Sequence, residues 1–595
     1  AVIASTLTIV AVFFPLTMMT GLAGIMFKQL GWIVTIVIVV STGAALSLTP
    51  MLSAKLLKKD PKRSKAFQRL YTPIEKLLDG LDNFYEKTLR WAIHHRVRVV
   101  VFGFALFISS LFLVARVGTD FFPATDNSQI SVTIELPVGS RVEQARKLNN
   151  YLYEKWSKKY PEILVYQSSM GASDGSNIFM SLRNSGTHII SYTIKLSNVK
   201  ERTKSIFDIA DEMREDLNAI PEIYKYSVIP GENLGSIGSS NNIEVDVLGY
   251  NFADAEKTAH QVAEIMKKTA GVKDVSLSRD AYTPQFSIVF DRAKLAQNNI
   301  TLSSAATSVR SRINGLTLSQ FREEGEEYDI TVKDDIQYRK SIQDIEDMVL
   351  YNTQGKQIRL SEVARVEETM APPTIGHLDR ERVITVTGLV SKRSLGDIAA
   401  DVQAEINKMS IPNMISVKIS GSVEDQKESF SDMMMLLILV ILLVYIVMAA
   451  QFESLRDPFI IMFSLPFAFT GVFVALWLTG TSLSLIALIG AVMLVGIVVK
   501  NGIVLIDYIN LNKERGTSIR RSVIKGGKSR LRPVLMTTAT TLLGMLPMAL
   551  GIGEGSETWQ PMGIAIIGGL TLSTILTLIV VPVIYTGFHG RDVRA

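Results

Sequence analysis

The sequence predicts a bundle of membrane-spanning α-helices joined to a large α+β region outside the cytoplasm. The chain has 595 residues, is 47% hydrophobic and has a mean hydropathy of +0.25, so it is too long for one domain and too apolar for a wholly soluble protein. Eight apolar runs have about the length that a bilayer requires. They cover approximately residues 1–22, 32–52, 97–117, 433–450, 458–478, 483–506, 533–550 and 561–588.

Two groups of basic residues orient these predicted spans. They comprise Lys55, Lys58, Lys59, Lys62, Arg63 and Lys65 after the second run, and Lys513, Arg515, Arg520, Arg521, Lys525, Lys528, Arg530 and Arg532 in a loop after the sixth. The positive-inside rule places both groups in the cytoplasm. The turn at residues 551–560 carries Glu554 and Glu557 but no base, which suits the outer side. Alternation from these anchors puts residues 118–427 outside the cytoplasm.

The region between the third and fourth spans has the periodicity of a split βαβ, or ferredoxin-like, fold. Strand and helix patterns alternate as strand-helix-strand twice within residues 130–229. A second copy begins at residues 243–278 and resumes at residues 383–419. Residues 284–371, which have strand patterns at 286–290 and 328–332, are therefore an insertion into the second copy. On the cytoplasmic side, residues 65–96 form an amphipathic helix, which suits either the membrane surface or a soluble linker.

Lys500 stands alone as a charge within residues 483–506. An ionisable group inside a span costs at least about 2.5–3.5 kcal/mol on insertion scales, so such groups are usually kept for function. Two interpretations remain open. The ammonium either faces the bundle interior and pairs with carboxylates of another helix, or extends along its stem to the interface near Asp507.

Several motifs together resemble a known family. They are residues 496–507 (GIVVKNGIVLID), 530–538 (RLRPVLMTT), 542–547 and 121–126 (FFPATD), set in the eight-span layout. The chain resembles the C-terminal part of resistance-nodulation-division (RND) transporters, and most of all their hydrophobe/amphiphile efflux branch, which contains HAE1-like multidrug pumps. The resemblance implies that the chain begins within the fifth of twelve spans.

The resemblance also assigns a domain to each part of the chain. The expected parts are two spans (1–53), a cytoplasmic surface helix and linker (54–96), one span (97–117), a first porter subdomain (118–238), a second porter subdomain in two pieces (239–282 and 372–427), a docking subdomain inserted between them (283–371), and five spans with a short cytoplasmic tail (428–595).

Members of the resembled family carry a proton relay, which maps onto Lys500, Asn501, Arg530 and Thr537. The lysine is expected to lie between two aspartates of the fourth span, which would precede residue 1. Each of the other residues also has a simpler explanation. Asn501 suits helix packing, Thr537 and Thr538 suit bonds to their own backbone, and Arg530 suits an interface anchor.

The resemblance further implies a mobile loop beside the substrate pocket. It maps onto residues 171–177 (GASDGSN), with Gly171, Ser173, Gly175 and Asn177 as the expected path residues. Tyr166, Met170, Phe179 and Met180 flank the loop and suit an apolar pocket, although core packing at strand spacing is the favoured explanation for any single one of them.

The implied function is proton-driven export of drugs or other amphiphilic small molecules across a bacterial inner membrane. The implied assembly is a homotrimer that works with a periplasmic adaptor protein and an outer-membrane channel. Two alternatives stay open within the superfamily: a metal-ion efflux pump, and a non-exporting protein that handles lipids or sterols. Metal export would need soft ligands along a path, but Met433, Met434 and Met435 lie at the entrance of a span, where adaptable packing explains them.

Other classes of function have little support in the sequence. The net charge of +5 is local to the membrane flanks, which argues against nucleic-acid binding, and the absence of cysteine removes thiolate chemistry. Residues 526–529 (GGKS) lack the upstream glycine of a phosphate-binding loop. His94, His95 and His377 belong to no recognisable nucleophile or metal constellation, so we predict no enzyme activity, cofactor or metal site.

Overall fold

The computed structural model describes residues 2–56, 65–114, 116–171, 186–231, 242–278, 282–352, 354–371, 375–553 and 555–589. Its helices are α1 (Val2–Phe13), α2 (Gly21–Leu56), α3 (Lys65–His94), α4 (Arg96–Val114), α5 (Val142–Lys159), α6 (Ile206–Asn218), α7 (Phe252–Lys268), α8 (Arg292–Gln297), α9 (Leu302–Ile313), α10 (Ile342–Glu346), α11 (Leu360–Val363), α12 (Leu395–Ile406), α13 (Ser422–Phe452), α14 (Arg456–Met462), α15 (Ser464–Thr479), α16 (Leu485–Glu514), α17 (Ile519–Ala549) and α18 (Gln560–His589).

Its strands are β1 (Thr119–Asp120), β2 (Gln129–Glu135), β3 (Ile163–Gly171), β4 (Gly186–Leu196), β5 (Lys225–Pro230), β6 (Asn242–Gly249), β7 (Val272–Leu277), β8 (Thr283–Phe290), β9 (Leu316–Glu323), β10 (Glu326–Val332), β11 (Val349–Tyr351), β12 (Gln357–Arg359), β13 (Ala364–Ala371), β14 (Gly376–Leu378), β15 (Glu381–Val390), β16 (Ile415–Ser420) and β17 (Leu483–Ser484).

Within the described residues, six helical segments are long and apolar enough to cross a membrane. They are α2, α4, α13, α14 together with α15, α16 and α18, and they coincide with six of the eight predicted spans. The first predicted span is instead the 12-residue α1 followed by a short 3-10 turn at Pro15–Met18. The seventh lies in the second half of α17, where threonines lower the hydropathy.

The predicted basic loop between the sixth and seventh spans is wrong, because most of it is helical. Helix α16 ends at Glu514 and α17 begins at Ile519, so Pro533 lies inside a helix rather than at its start. Two glycines allow this part of α17 to pack closely: a Cβ on Gly526 would lie 2.8 Å from Ile509 of α16, and one on Gly527 would lie 2.7 Å from the Tyr85 hydroxyl of α3.

Ion pairs hold the same part of α17 against α3. Lys528 Nζ lies 2.8 Å from Glu86, and Arg532 lies 2.8 Å from Asp82. The Tyr85 hydroxyl of α3 also donates a 2.7 Å hydrogen bond to the Leu578 carbonyl of α18. The amphipathic helix predicted over residues 65–96 therefore exists, and its buried side packs on the membrane helices.

Two antiparallel sheets form the core of the region outside the bundle. The first has the strand order β3-β4-β2-β5, and α5 and α6 pack on it around buried residues such as Trp156 and Tyr192. The second has the order β16-β6-β15, with β7 and the short β14 both paired to the remaining edge of β15. Each sheet combines two strand-helix-strand units, because period-2 burial in the strands alternates with amphipathic helices.

The segment between β7 and β14 has a hydrophobic core of its own. Strand β8 pairs with β13 along its whole length, so the segment leaves and rejoins the second unit at one place. Its core includes Leu295, Val309, Leu350 and Val363. The β9–β10 hairpin has exposed side chains throughout, and the sequence analysis predicted only its second strand.

A short parallel pair of strands, β1 and β17, connects the bundle to the region outside it. Thr119 pairs with Leu483, and Asp120 pairs with Ser484, immediately before α16 begins. The Asp120 carboxylate also accepts a 2.8 Å hydrogen bond from the Leu395 amide at the start of α12. Burial raises the pKa of Asp120, and the like charge of Asp397 acts in the same direction.

Glycines let α15 and α18 cross with their backbones in contact. A Cβ on Gly471 of α15 would meet the Gly568 carbonyl oxygen and would lie 2.8 Å from the Gly569 Cα. Because these are backbone atoms of a packed helix, they cannot move aside as a flexible side chain would.

We expect Gly471→Ala to destabilise the bundle by about 1–3 kcal/mol, the usual range for overpacking. The matched control is Gly544→Ala in α17, where an added Cβ meets nothing within 4 Å. Thermal unfolding of the purified protein in detergent measures both. Equal unfolding temperatures for the two variants would contradict the close crossing.

Candidate relay site and substrate path

Lys500 lies near the middle of α16 and is half-buried. It follows Gly496 by one helical turn, so both residues project from the same side of the helix. That side meets α1, because a Cβ on Gly496 would lie 3.1 Å from Val12. Among the described residues, no carboxylate lies within ion-pair distance of the Lys500 ammonium.

Helices α16 and α17 run antiparallel, and their contacts bring Lys500 level with Thr537. The Arg530 guanidinium lies over the Tyr508 ring, 4.4 Å from its centroid. Lys500 is eight residues before Tyr508, and Thr537 is seven residues after Arg530. At 1.5 Å per residue, these offsets correspond to about 12 Å and about 10.5 Å along the helices, so Lys500 and Thr537 lie at nearly the same depth.

The other relay candidates have few polar partners in the described part of the chain. The Thr537 hydroxyl donates to the Val534 carbonyl at 2.9 Å, the backbone bond that the simpler explanation predicted, and the residue is exposed. Thr538 is buried and lies 3.3 Å from the Thr574 hydroxyl of α18. Asn501 is half-buried, with no side-chain hydrogen bond to any described residue.

This arrangement can bind an anion. The Arg530 Nε is buried and has no acceptor among the described residues, and the ammonium of Lys500 has no carboxylate. Each of these cations, which lie at different depths, lacks a counter-ion among the described residues, and a carboxylate beside either one would lower the cost of burying its charge. Such a carboxylate would have to come from another segment.

Of the residues expected along the substrate path, three are described. Gly171 ends β3 with φ +104°, in the left-handed region that favours glycine, and it pairs with Gly186. Tyr166 packs edge-on against Trp156 and Tyr153, and Met170 also borders the core of the first unit. Both contacts fit the core-packing explanation. Ser173, Gly175, Asn177, Phe179 and Met180 lie outside the described residues.

A cavity of about 730 Å³ lies where the two sheet units meet the adjoining ends of the membrane helices. Its lining combines aromatic and charged side chains, among them Phe121, Phe122, Trp477, Asp208 and Lys392. The FFPATD motif therefore forms part of a cavity wall, a role that the sequence analysis did not assign to it.

An ionic cluster beside this cavity joins the two units. Arg214 of α6 donates to the Asp274 carboxylate of β7 at 3.0 Å, and both side chains are buried. Asp211 of α6 lies 2.5 Å from Lys273 and 3.5 Å from Lys392. Burial alone would raise the pKa of Asp211, but these cations outweigh it and lower the pKa below its ordinary 3.8.

The family of this chain follows from its similarity to known proteins. A sequence model described as the AcrB/AcrD/AcrF family matches residues 1–589. The chain belongs to this family.

Curated relatives and solved structures agree with this assignment. The swarming motility protein SwrC of Bacillus subtilis (strain 168) is 29% identical over an alignment of 595 positions, gaps included, that covers 98% of this chain and 54% of SwrC. The multidrug resistance protein MdtC of Pectobacterium carotovorum subsp. carotovorum (strain PC1) is 27% identical over an alignment of 599 positions, gaps included, that covers 100% of this chain and 57% of MdtC. The chain thus spans about half the length of these relatives.

A crystal structure of a heavy metal efflux pump has the same fold. Its TM-score is 0.79 with 23% sequence identity, and the match covers 99% of this chain and 58% of the pump. The resemblance to RND efflux transporters is therefore confirmed, and the AcrB/AcrD/AcrF family consists of transporters rather than typical enzymes.

The sequence analysis missed two polar residues at the edges of the predicted spans. It began the fifth span at Pro458 and ended the eighth at Phe588, and so excluded Asp457 and His589. In the structure both are buried, and His589 Nε2 lies 3.4 Å from Asp457 Oδ1. Their signal was present in the sequence as an acidic and a basic residue, each directly adjoining an apolar run.

The ionic cluster between the two sheet units is testable. We expect Arg214→Met to leave Asp274 buried without its cation and to destabilise the region by about 3–5 kcal/mol. Hydrogen exchange of the peptides over residues 225–230 and 272–277 should accelerate. Arg146→Met, which changes an exposed arginine of α5, is the control.

The double variant Arg214→Met with Asp274→Asn should recover part of the lost stability, since it removes both charges.

The stability that Asp211 contributes should depend on pH. Because the pKa of Asp211 is lowered in the folded protein, this contribution is present above pH 3.8 and is lost as pH falls through the lowered value. Unchanged exchange in Arg214→Met would mean that the cluster does not join the units.

Proposed function

We propose that the full-length protein containing this chain is a proton-driven exporter of amphiphilic small molecules in a bacterial inner membrane. The observation that carries the proposal is the half-buried Lys500 in an apolar helix, level with Thr537 and on the helix that Arg530 contacts. An ammonium at this depth is expensive unless it has an acidic partner. A carboxylate supplied from outside the described residues would complete the site.

Such a site would convert proton binding into movement. With the carboxylate ionised, Lys500 is held to it by charge attraction in a low-dielectric environment. When the carboxylate takes up a proton, this attraction disappears and the ammonium is free to find other partners. Protonation therefore changes the preferred position of α16 relative to its neighbours, which is the two-state element that alternating access requires.

Two observations favour amphiphilic molecules over metal ions as the cargo. Neither of the two relatives is named for a metal: MdtC is named for multidrug resistance and SwrC for swarming motility. In addition, Met433 is buried while Met434 and Met435 are exposed, so the three thioethers do not converge. The heavy metal pump shares only the fold at 23% identity.

We further infer that the two sheet units are porter subdomains of ferredoxin-like type and that the insertion is a docking subdomain. Strand orders β3-β4-β2-β5 and β16-β6-β15-β7 support the first assignment, and the separate core around Leu350 supports the second. A homotrimer, a periplasmic adaptor and an outer-membrane channel are the corresponding partners. The large region outside the bundle would then lie in the periplasm.

Lys500→Met in the full-length protein should abolish export, because methionine keeps the length of the side chain but cannot pair with a carboxylate. Dye efflux under an imposed pH gradient measures this, with expression and trimer assembly checked in parallel. Lys513→Met, which removes an exposed lysine from the same helix, should export normally. Normal efflux by Lys500→Met would refute the relay.

Gly171→Pro tests the loop. Proline cannot adopt the φ of +104° found at Gly171, so the change should alter how the chain enters the following loop. We expect Gly171→Pro to slow the export of large substrates more than the export of small ones. Gly139→Pro, another glycine of positive φ in an exposed turn of the same unit, is the control. An equal loss for substrates of all sizes would count against a gating role.

A further inference from the structure

Four polar side chains meet at those ends of three membrane helices that the positive-inside rule assigns to the cytoplasm. We call Asp457, Asn510, Tyr585 and His589 the cytoplasmic polar cluster. Asn510 of α16 donates a 2.9 Å hydrogen bond to Asp457 of α14, and the Tyr585 hydroxyl of α18 donates to Asn510 Oδ1 at 2.6 Å. His589 lies 3.4 Å from Asp457 and stacks on Tyr585 with ring centroids 4.3 Å apart.

The carboxylate and the imidazole of the cluster are almost completely buried. Asp457 is 5% exposed and His589 is 8% exposed. Asp457 lies in the first turn of α14 and His589 in the last turn of α18. Buried charged groups of this kind are rare at membrane helix ends unless they pair or serve a function.

We propose that Asp457 and His589 are a second protonation site, separate from Lys500, whose charge state sets how firmly the cytoplasmic end of α16 is held. With Asp457 ionised and His589 neutral, the pair has a net charge of −1. Uptake of one proton from cytoplasmic water by the imidazole forms an N–H bond and makes the pair neutral overall. Because a buried net charge is costly, proton uptake stabilises the closed cluster, and proton loss weakens it.

Other charged groups at these helix ends do not replace the histidine. Arg96 of α4 donates to the Thr586 carbonyl, one turn before His589, at 3.2 Å. On α17, Lys528 pairs with Glu86 of α3 and Arg530 lies over Tyr508 of α16. The charged residues near these helix ends on α14 and α16, together with Glu453 directly after α13, are exposed; they are Glu453, Arg456, Asp507, Lys513 and Glu514.

The cluster acts on the same helix as Lys500 but at a different depth. Asn510 follows Lys500 by ten residues, which is about 15 Å along the helix, so no direct hydrogen bond joins the two sites. The inference goes beyond the proposed function and does not depend on it. Loosening or tightening of the helix end is observable whether or not the protein transports anything.

Hydrogen exchange tests the proposal on the full-length protein in detergent or nanodiscs. Amide exchange of the peptide over residues 505–514, corrected for the intrinsic pH effect, should slow as pH falls through the histidine range of about 5–8. His589→Gln and Asp457→Asn should both lose this pH dependence. Asp507→Asn and His260→Gln, which change exposed residues, should keep it.

A second measurement needs no folded variant. Exchange of the imidazole C2 hydrogen, followed by mass spectrometry in the wild type, reports the protonation of His589 itself. We expect a titration step in the same pH range. The absence of such a step, or a wild-type pH dependence of amide exchange in His589→Gln, would overturn the proposal. The proposal would also be overturned if Tyr585→Phe and the controls Asp507→Asn and His260→Gln all lost the pH dependence of amide exchange. That pattern would indicate a general loosening of the protein rather than an effect of the Asp457–His589 pair.

Discussion

The cost of placing a charge in hydrocarbon is the constraint on which this structure depends. It explains why α16 carries no charge other than Lys500 between Leu485 and Ile506, and why Lys500 lies at the depth of a threonine on α17. It also explains the cytoplasmic polar cluster, where Asp457 and His589 lie on different helices yet meet. In the cluster, polar groups of one helix find their partners on another helix. Lys500 needs a partner from another helix in the same way, so charge pairing fixes which helices must be neighbours.

Close backbone contact supplies the complementary constraint. Apolar side chains gain little from leaving lipid, so helices associate where small residues let them approach. Gly471 and Gly568 do this for α15 and α18, and Gly526 and Gly527 do it for the start of α17. Because glycine packing fixes the positions of these helices, the polar groups that they carry are held at defined depths.

The sequence predicted the parts of the fold that depend on local pattern. The strands of both sheet units and α16 were found because burial alternates along strands and hydropathy persists along a span. The basic start of α17 was mistaken for a loop, since the partners that neutralise Lys528 and Arg532 lie on α3, far away in the chain. The first strand of the β9–β10 hairpin was missed, although its side chains are exposed on both faces in the same way as those of the second strand, which was predicted.

The candidate site was predictable residue by residue but not as an arrangement. Lys500 was conspicuous as a lone charge, whereas its common depth with Thr537 follows only from the antiparallel contacts of Tyr508 with Arg530 and of Ile509 with Gly526. The pairing of Asp457 with His589 joins two predicted spans at their boundaries, where a hydropathy plot assigns residues to water by default. Long-range pairing of this kind carries no local signature.

The β1–β17 pair gives α16 a fixed attachment at its outer end. Thr119 and Asp120 are hydrogen-bonded to the residues directly before this helix, and Asp120 also binds the start of α12. Asn510 is hydrogen-bonded near the opposite end, so α16 is attached to neighbouring elements at both ends. Sliding along its axis would require one attachment to break, so a force applied at its centre is accommodated most cheaply by bowing or by rotation about the long axis.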